Sequence, residues 1–400
     1  MPTSAKPSIL VLSSRFPYPV IGGDLLRIYH FLLLLSGSFD VDLLTLHHVP
    51  LPVDGIANLQ KFVRKVVCFP ISRFRSTVSA GFKGLLRGLP LQAGYYYFPE
   101  VKKWVMANVK HYDAVFCFHV RMTEYVINLD VVKVVDLVDA ISMNYASAQD
   151  TTPDLKWRLI YRLELPRLLK YEQRVVSTFD KSILTSDVDR SFLGNHGANA
   201  DRIAVVPNGT DLLLETSPDG LIQDIDILFQ GNMRTQANQA AALYFVTRVL
   251  PVIRSRGQNP KVYIVGMDPP ERIRKLSDGE NVVVTGLVKD VSAFIRRARV
   301  VVAPMQIGAG VQNKILEAMA LERPVVTTAL GAEGIEGVHG VHYLVADGES
   351  EFSSAVISLL DDPMLRKSIG SSARQLIASK YTWENVGRRL IEEVKQAIAR

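Results

Sequence analysis

The sequence predicts an α/β protein of two domains built from parallel βαβ units, and three observations carry that prediction. The chain has 400 residues, enough for two domains of ordinary size that each bury a core. Short β-branched runs without charge, such as Val300 to Pro304, read as parallel strands covered on both faces. Glycine-containing loops and stretches of helical periodicity follow them, so that strand, loop, helix and strand recur along the chain.

Composition excludes several other classes. Hydrophobic residues make up 48% and charged residues 22%, which is globular and not disordered. Cys68 and Cys117 are the only cysteines; their spacing argues against a disulfide framework or a zinc site and fits a reducing cytoplasm. No metal-ligand cluster is visible, so no metal is expected. Met1 to Ser8 is short and polar, and no secretory leader is expected there. Apolar runs such as Phe31 to Leu35 fall far short of the about 20 residues that span a bilayer. The net charge of +6 is concentrated between Lys61 and Lys110, where ten cations face one acid, Glu100. Phe62, Phe69, Phe74, Phe82 and Tyr95 to Phe98 are interleaved with them. One reading is a peripheral surface on an anionic membrane, each cation contributing about 1 kcal/mol; the other is a solvated basic face. No nucleic-acid reader motif accompanies the charge, and nucleic acid is not an expected partner.

The elements follow in order. Ile9 to Ser13 is the first strand, and Gly22-Gly23 opens a helix from about Asp24 to Ser36. Paired glycines there either expose backbone N–H groups to an anion or make a plain turn; Arg27 lies one turn further on. Val41 to Leu46 is the second strand, and residues 54 to 110 read as mostly helical. Ala114 to Phe118 is a strand with His119 at its C-terminal end, the edge where open α/β sheets bind ligands; a structural histidine is the other reading. Val132 to Val138 is a further strand. Asp139 after it either serves an acceptor hydroxyl, as base or orienting group, or caps the next helix. A long amphipathic helix, Leu155 to Ser177, leads to a strand at Ser182 to Ser186 and a helix start at Ser186 to Asp189. Residues 212–224 contain Pro218, Asp219 and Gly220 without periodicity and mark the boundary between domains.

The second domain opens with strand Asp226 to Gln230 and the loop Gly231 to Asn238, which carries Arg234. Strands follow at Lys261 to Gly266 and Asn281 to Gly286. The central unit runs from Val300 to Thr328: strand, Gly308-Ala309-Gly310, helix, and a strand from Val325. The small residues let a ligand approach the backbone. Lys314 and Glu317 share a face near the N-terminus of that helix, where the dipole favours anions. They fit a phosphate and a ribose, or a surface ion pair three residues apart. Tyr343 to Ala346 is a last strand, and a helix closes the chain.

Glu317-Ala318-Met319-Ala320 followed by Arg323-Pro324-Val325-Val326 resembles the C-terminal signature of glycosyltransferase family 4. The Gly-x-Gly loop with a lysine before the glutamate is similar to that of its polysaccharide-building branch. The resemblance implies two Rossmann-like domains facing across a cleft, the GT-B fold. It implies an acceptor-binding domain at 1–211, a linker at 212–224, and a nucleotide-sugar-binding domain at 225–383, with helix 384–400 crossing back to the first. Retaining, metal-independent transfer of a hexosyl group from a UDP- or GDP-linked sugar to a hydroxyl of a lipid-linked or polysaccharide glycan is the implied activity. No cofactor is expected beyond that co-substrate, and the implied location is cytoplasmic, on the inner face of the plasma membrane if the basic segment meets lipid. Glu317 would hold the ribose, and the turn around Val288 would read the base through its backbone. Gly308, Ala309 and Gly310 would lie by the sugar; Gly22, Gly23 and Arg27 would face the donor phosphates and sugar, and His119 would touch the sugar. The sequence departs from the family at Ala309, where a glutamate is common, and at Asn232 and Ala237, where an arginine and a lysine grip the diphosphate. Arg234 and Lys314 are the cations that could replace them. Two alternatives stay open: a nucleotide-sugar 2-epimerase of the same fold, and a non-catalytic nucleotide-sugar-binding member.

Overall fold

The structure, a computed structural model, describes residues 6–399 apart from 152–153, 213–222 and 309. It divides into two compact units, Met1–Pro207 with Val386–Arg400, and Asn208–Asn385. The first holds strands β1 (Ser8–Ser13), β2 (Asp40–His47), β3 (Lys65–Pro70), β4 (Ala114–Phe118), β5 (Lys133–Val138), β6 (Lys181–Leu184) and β7 (Ile203–Val205). They pair in parallel in the order β3-β2-β1-β4-β5-β6-β7. The second holds β8 (Ile225–Gln230), β9 (Val262–Val265), β10 (Val282–Gly286), β11 (Ala298–Ala303), β12 (Val325–Thr327) and β13 (Leu344–Val345), also parallel, in the order β10-β9-β8-β11-β12-β13. Each unit is therefore a doubly wound Rossmann-like sheet, as the sequence predicts.

The uncharged strands explain the layering. Ile9 to Leu12 of β1 and Val300 to Ala303 of β11 are fully buried, as expected for central strands covered on both faces. Residues 54 to 110 are mostly helical, as the sequence reads, but β3, an element the sequence reading does not include, interrupts them as the edge strand beside β2. Its half-buried, charge-flanked sequence KVVCFP hides a short apolar core, and charge is how sheet edges avoid further pairing. Arg64 just before it donates to both carboxylate oxygens of Asp42, at 2.9 and 3.0 Å.

The described C-terminal residues, 386–399, pack within the first unit. Gly387 lies so close to the helix Gly23–Ser36 that a Cβ would stand 2.5 Å from Leu34 Cδ2, and Lys181 pairs with Glu393 at 2.7 Å.

At the centre of the first unit Arg27 and Asp136 form a buried, two-pronged ion pair at 2.7 and 3.1 Å. Arg27 also donates to the carbonyls of Val206 and Pro207, at 2.9 and 3.0 Å, and its guanidinium lies 4.3 Å from the Phe31 ring centroid. Asp136 accepts the Val138 N–H as well. Breaking such a pair strands a buried charge, so Asp136→Ala should cost about 3–5 kcal/mol. Urea unfolding followed on the first unit's transition should show that loss, with Arg27→Met in the same background recovering part of it.

Candidate functional site

In the second unit the chain winds outward in opposite directions from β8 and β11, so their C-terminal ends border the crevice where such sheets bind ligands. Three loops converge there. Gly231 follows β8, and its N–H donates to Val265 O at 3.0 Å; Gly266 follows β9 and donates to the O of Gly286, the last residue of β10, at 3.2 Å. Backbone approaches so closely that a Cβ on Gly266 would sit 1.8 Å from Gly231 O. Gly308 and Gly310 follow β11 with φ of 128° and 76°, left-handed conformations that glycine adopts freely. Ala309 lies outside the described residues.

The helix Asn313–Ala320 then begins without a side-chain cap. Ile315, Leu316 and Met319 are buried, leaving Lys314 and Glu317 half-buried on the opposite side. Among the described residues these two do not form the ion pair that spacing allows. Lys314 Nζ instead donates to Asn238 Oδ1, lies 3.6 Å from Met305 Sδ, and stands 5.1 Å from the Phe229 ring centroid. Glu317 Oε2 accepts from Gln230 Nε2 at 3.1 Å, and the same amide donates to Lys314 O at 3.2 Å. Burial pushes the Glu317 carboxyl up to about 7, against the opposing Gln230 bond and Lys314 charge. Burial likewise brings the Lys314 ammonium down to about 8, with Glu317 opposing. A cation and an anion are thus kept side by side and under-neutralised, as a site awaiting charged partners would be.

Gln230, Asn238, Phe229 and Met305 are site residues that sequence pattern does not single out. A glutamine closing an apolar strand at the ligand-binding edge is the one signal that could have found them. Arg234 belongs to the loop after β8 but is exposed and ion-paired with Asp268. Val288 lies in the loop between β10 and the helix Val291–Arg297, its side chain packed on the core that holds Val311 and Ile315.

In the first unit the matching reversal falls between β1 and β4. Gly22 precedes the helix Gly23–Ser36 with φ 96°; it is exposed, and a Cβ there would meet nothing within 4 Å. Arg27 does not reach this edge, since its guanidinium is buried against Asp136. His119 does, at the end of β4, with φ 69° and only 7% exposed; its Nδ1 makes no hydrogen bond. Its Nε2 stands 3.5 Å from Asp24 Oδ2, a residue that sequence pattern alone does not mark. Burial lowers the His119 imidazole below its ordinary range, which keeps it neutral at neutral pH. Burial acts to raise Asp24, but His119, Arg121 and Arg15 outweigh it and hold the carboxylate well below its usual range.

Asp139 accepts from Thr185 Oγ1 at 3.0 Å, and burial with nearby Asp189 pushes it up to about 7. It does not cap the helix Ile141–Thr151: the Ala140 N–H goes to Asp189, and those of Ile141 and Ser142 go to Glu172.

Residues 224–362 match the family model described as glycosyl transferases group 1. Together with the fold, this supports a glycosyltransferase of the GT-B fold. An uncharacterised 44.6 kDa protein of the cps region of Klebsiella pneumoniae is 24% identical over 96% of this chain and 99% of its own length. The capsular polysaccharide biosynthesis glycosyltransferase CapM of Staphylococcus aureus is 29% identical over 34% of this chain and 38% of its own. Among solved structures, the sucrose-phosphate synthase of Thermosynechococcus elongatus superposes with TM-score 0.74 at 16% identity, covering 98% of this chain and 99% of that one. Anabaena HepE in complex with UDP and glucose gives 0.69 at 14% identity, covering 97% and 100%.

Because folding raises the Glu317 carboxyl, the fold penalises its ionised form, and that cost grows as pH rises from its unfolded value to about 7. Glu317→Gln should therefore raise the melting temperature at pH 8 while changing it little at pH 5. Scanning calorimetry at the two pH values checks this.

Proposed function

We propose that the protein transfers a sugar, with retention, from a nucleoside diphosphate donor to a hydroxyl of a glycan acceptor in capsule or related polysaccharide assembly. The observation that carries the reading is the second unit's under-neutralised pair, Lys314 and Glu317, at the start of a helix beside a glycine loop. Lys314 and the uncapped amides of that helix would meet the diphosphate, and Glu317 would accept the ribose hydroxyls. HepE, of the same fold, was solved with UDP and glucose, which makes UDP the first nucleotide to try here.

Chemistry follows from charge. The glycosidic bond to phosphate breaks as negative charge gathers on the leaving diphosphate, and fixed positive groups lower that barrier. Lys314 and the helix amides supply them, with Arg234 adding its charge when it leaves Asp268, so transfer should proceed in the presence of EDTA. In the first unit, Gly22 and Gly23 present amides, and His119, Asp24 and Asp139 are the polar groups that would face sugar and acceptor. The epimerase alternative needs acids around the sugar and loses ground at Ala309; no specific observation favours it.

Membrane association is a separate part of the proposal. Arg64, Arg75 and Lys102 of the basic segment already bind Asp42, Glu100 and the Tyr125 carbonyl. Phe74 and Val78 remain exposed, one helical turn apart. Binding to anionic vesicles that fails at low salt would remove this part alone. No helix among the described residues is long and apolar enough to cross a membrane.

The first test is thermal stability against UDP, GDP, ADP and their sugar conjugates, followed by turnover with a glycan acceptor. One nucleotide should raise the melting temperature, and Lys314→Ala should weaken its binding about tenfold or more without unfolding the chain. No shift with any of them in folded protein would overturn the reading. The titrations set the pH dependence. Below about 7 Glu317 holds a proton that ribose binding must release, and above about 8 Lys314 must regain one. Affinity measured by calorimetry should therefore be greatest between pH 7 and 8 and fall on both sides.

A further inference from the structure

The edge of the first sheet carries a feature that the donor does not explain. Four neighbouring strands, β3, β2, β1 and β4, each present a basic residue just beyond their C-terminal ends: Arg73, His48, Arg15 and Arg121. The groups lie in one field. His48 is lowered below its ordinary value by burial and by the charges of Arg73 and Arg15, and Asp24 feels both Arg121 and Arg15. Tyr96 sits among them, with the Arg121 guanidinium 5.5 Å and the His48 ring 6.4 Å from its centroid. Asp24, 3.8 Å from Arg15, is the acid that meets this group.

Two polar groups here are buried with hydrogen-bonding capacity unmet. Arg121 donates through Nε to Gln92 Oε1 at 3.0 Å, but its Nη1 is shielded from solvent and makes no hydrogen bond. The His119 imidazole, 7% exposed, has only the Asp24 carboxylate 3.5 Å from Nε2, and its Nδ1 makes no hydrogen bond. A buried donor left unmet carries a desolvation cost that a ligand atom placed there would relieve. Guanidinium forks match the paired oxygens of phosphate.

We propose that this edge binds a phosphate or diphosphate group of the acceptor, held by Arg121, Arg15 and Arg73 over Tyr96. The inference rests on the acceptor belonging to the first domain, while its cations are separate from Lys314 and the nucleotide. Among the described residues Asp24 is the one acid ion-paired with any of these three arginines, which leaves an excess of positive charge that a neutral sugar would not answer. The phosphate could belong to a lipid-linked glycan or to a soluble sugar phosphate, and the two differ in the chain they carry.

Calorimetric titration of the full-length protein with inorganic pyrophosphate tests the site. Two pyrophosphates should bind, one lost in Lys314→Ala and the other weakened at least tenfold in Arg121→Gln. The double variant Arg15→Gln/Arg73→Gln, at exposed positions that leave the core untouched, should weaken that second site too, and Arg121→Lys should restore part of it. Geranyl diphosphate binding more tightly than pyrophosphate would support the site with a lipid-linked source, and equal binding would support it with a soluble one. Unchanged pyrophosphate binding in Arg15→Gln/Arg73→Gln would overturn the proposal, as would glucuronate binding more tightly than pyrophosphate. Loss of one pyrophosphate in Arg121→Gln but none in Lys314→Ala would instead refute the nucleotide assignment and leave this site standing.

Discussion

The first unit depends on one buried charge pair. Arg27 projects from the helix after β1, Asp136 from β5, and the carbonyls of Val206 and Pro207 from the chain that leaves β7. Helix, central sheet and exit strand meet in a single polar knot inside an apolar interior. Every donor and acceptor must be met there, because the low dielectric magnifies any that is not. The guanidinium forms four of its bonds within this knot, and that completeness fixes where the helix Gly23–Ser36 starts relative to β4. The start of the helix holds Asp24 beside His119. An interior electrostatic requirement therefore positions an edge with chemical potential.

The sheets were the legible part of the sequence. β1, β4, β5, β8 and β11 are dominated by apolar residues, and hydrophobicity alone identifies them. β3 was not legible, since its apolar core is four residues long and flanked by Lys65 and Pro70, and its place at an edge relaxes the demand for burial. At the candidate site Lys314, Glu317 and the glycine loop could be read because helix spacing and small residues are local signals. Gln230, Asn238 and Asp24 could not. Their roles arise when residues from separate strands and loops reach the same sheet edge, and no local period encodes that. Arg27 shows the converse: its position one turn into the helix suggested a ligand contact, while the turn of the helix aims it inward at Asp136.

The same geometry accounts for the unusual titrations. A doubly wound sheet covers its strands with helices, so a charged group at the C-terminal edge is half in the core and half in water. Burial disfavours the ionised form, raising Glu317 and Asp139 and lowering Lys314 and His119. Arg27 and Asp136, inside the sheet, are each other's two-pronged hydrogen-bonding partner. The edge groups have only partial ones: Lys314 has a neutral amide, and His119 a carboxylate at 3.5 Å.

That contrast separates structural from functional charge in this chain. Where a buried ionic group finds complete hydrogen bonding inside the fold, its removal should disturb stability first. Where it is left short of partners, the fold bears a standing cost that only an outside ligand relieves, and its neutralisation should leave the fold intact or firmer. Glu317, Lys314, His119 and Arg121 fall in the second group, in two sheets of the same winding and at the same strand ends. Natural folds bear such costs where function requires them. The shared placement of these incomplete groups is the physical reason to assign binding to the strand-order reversals of both units.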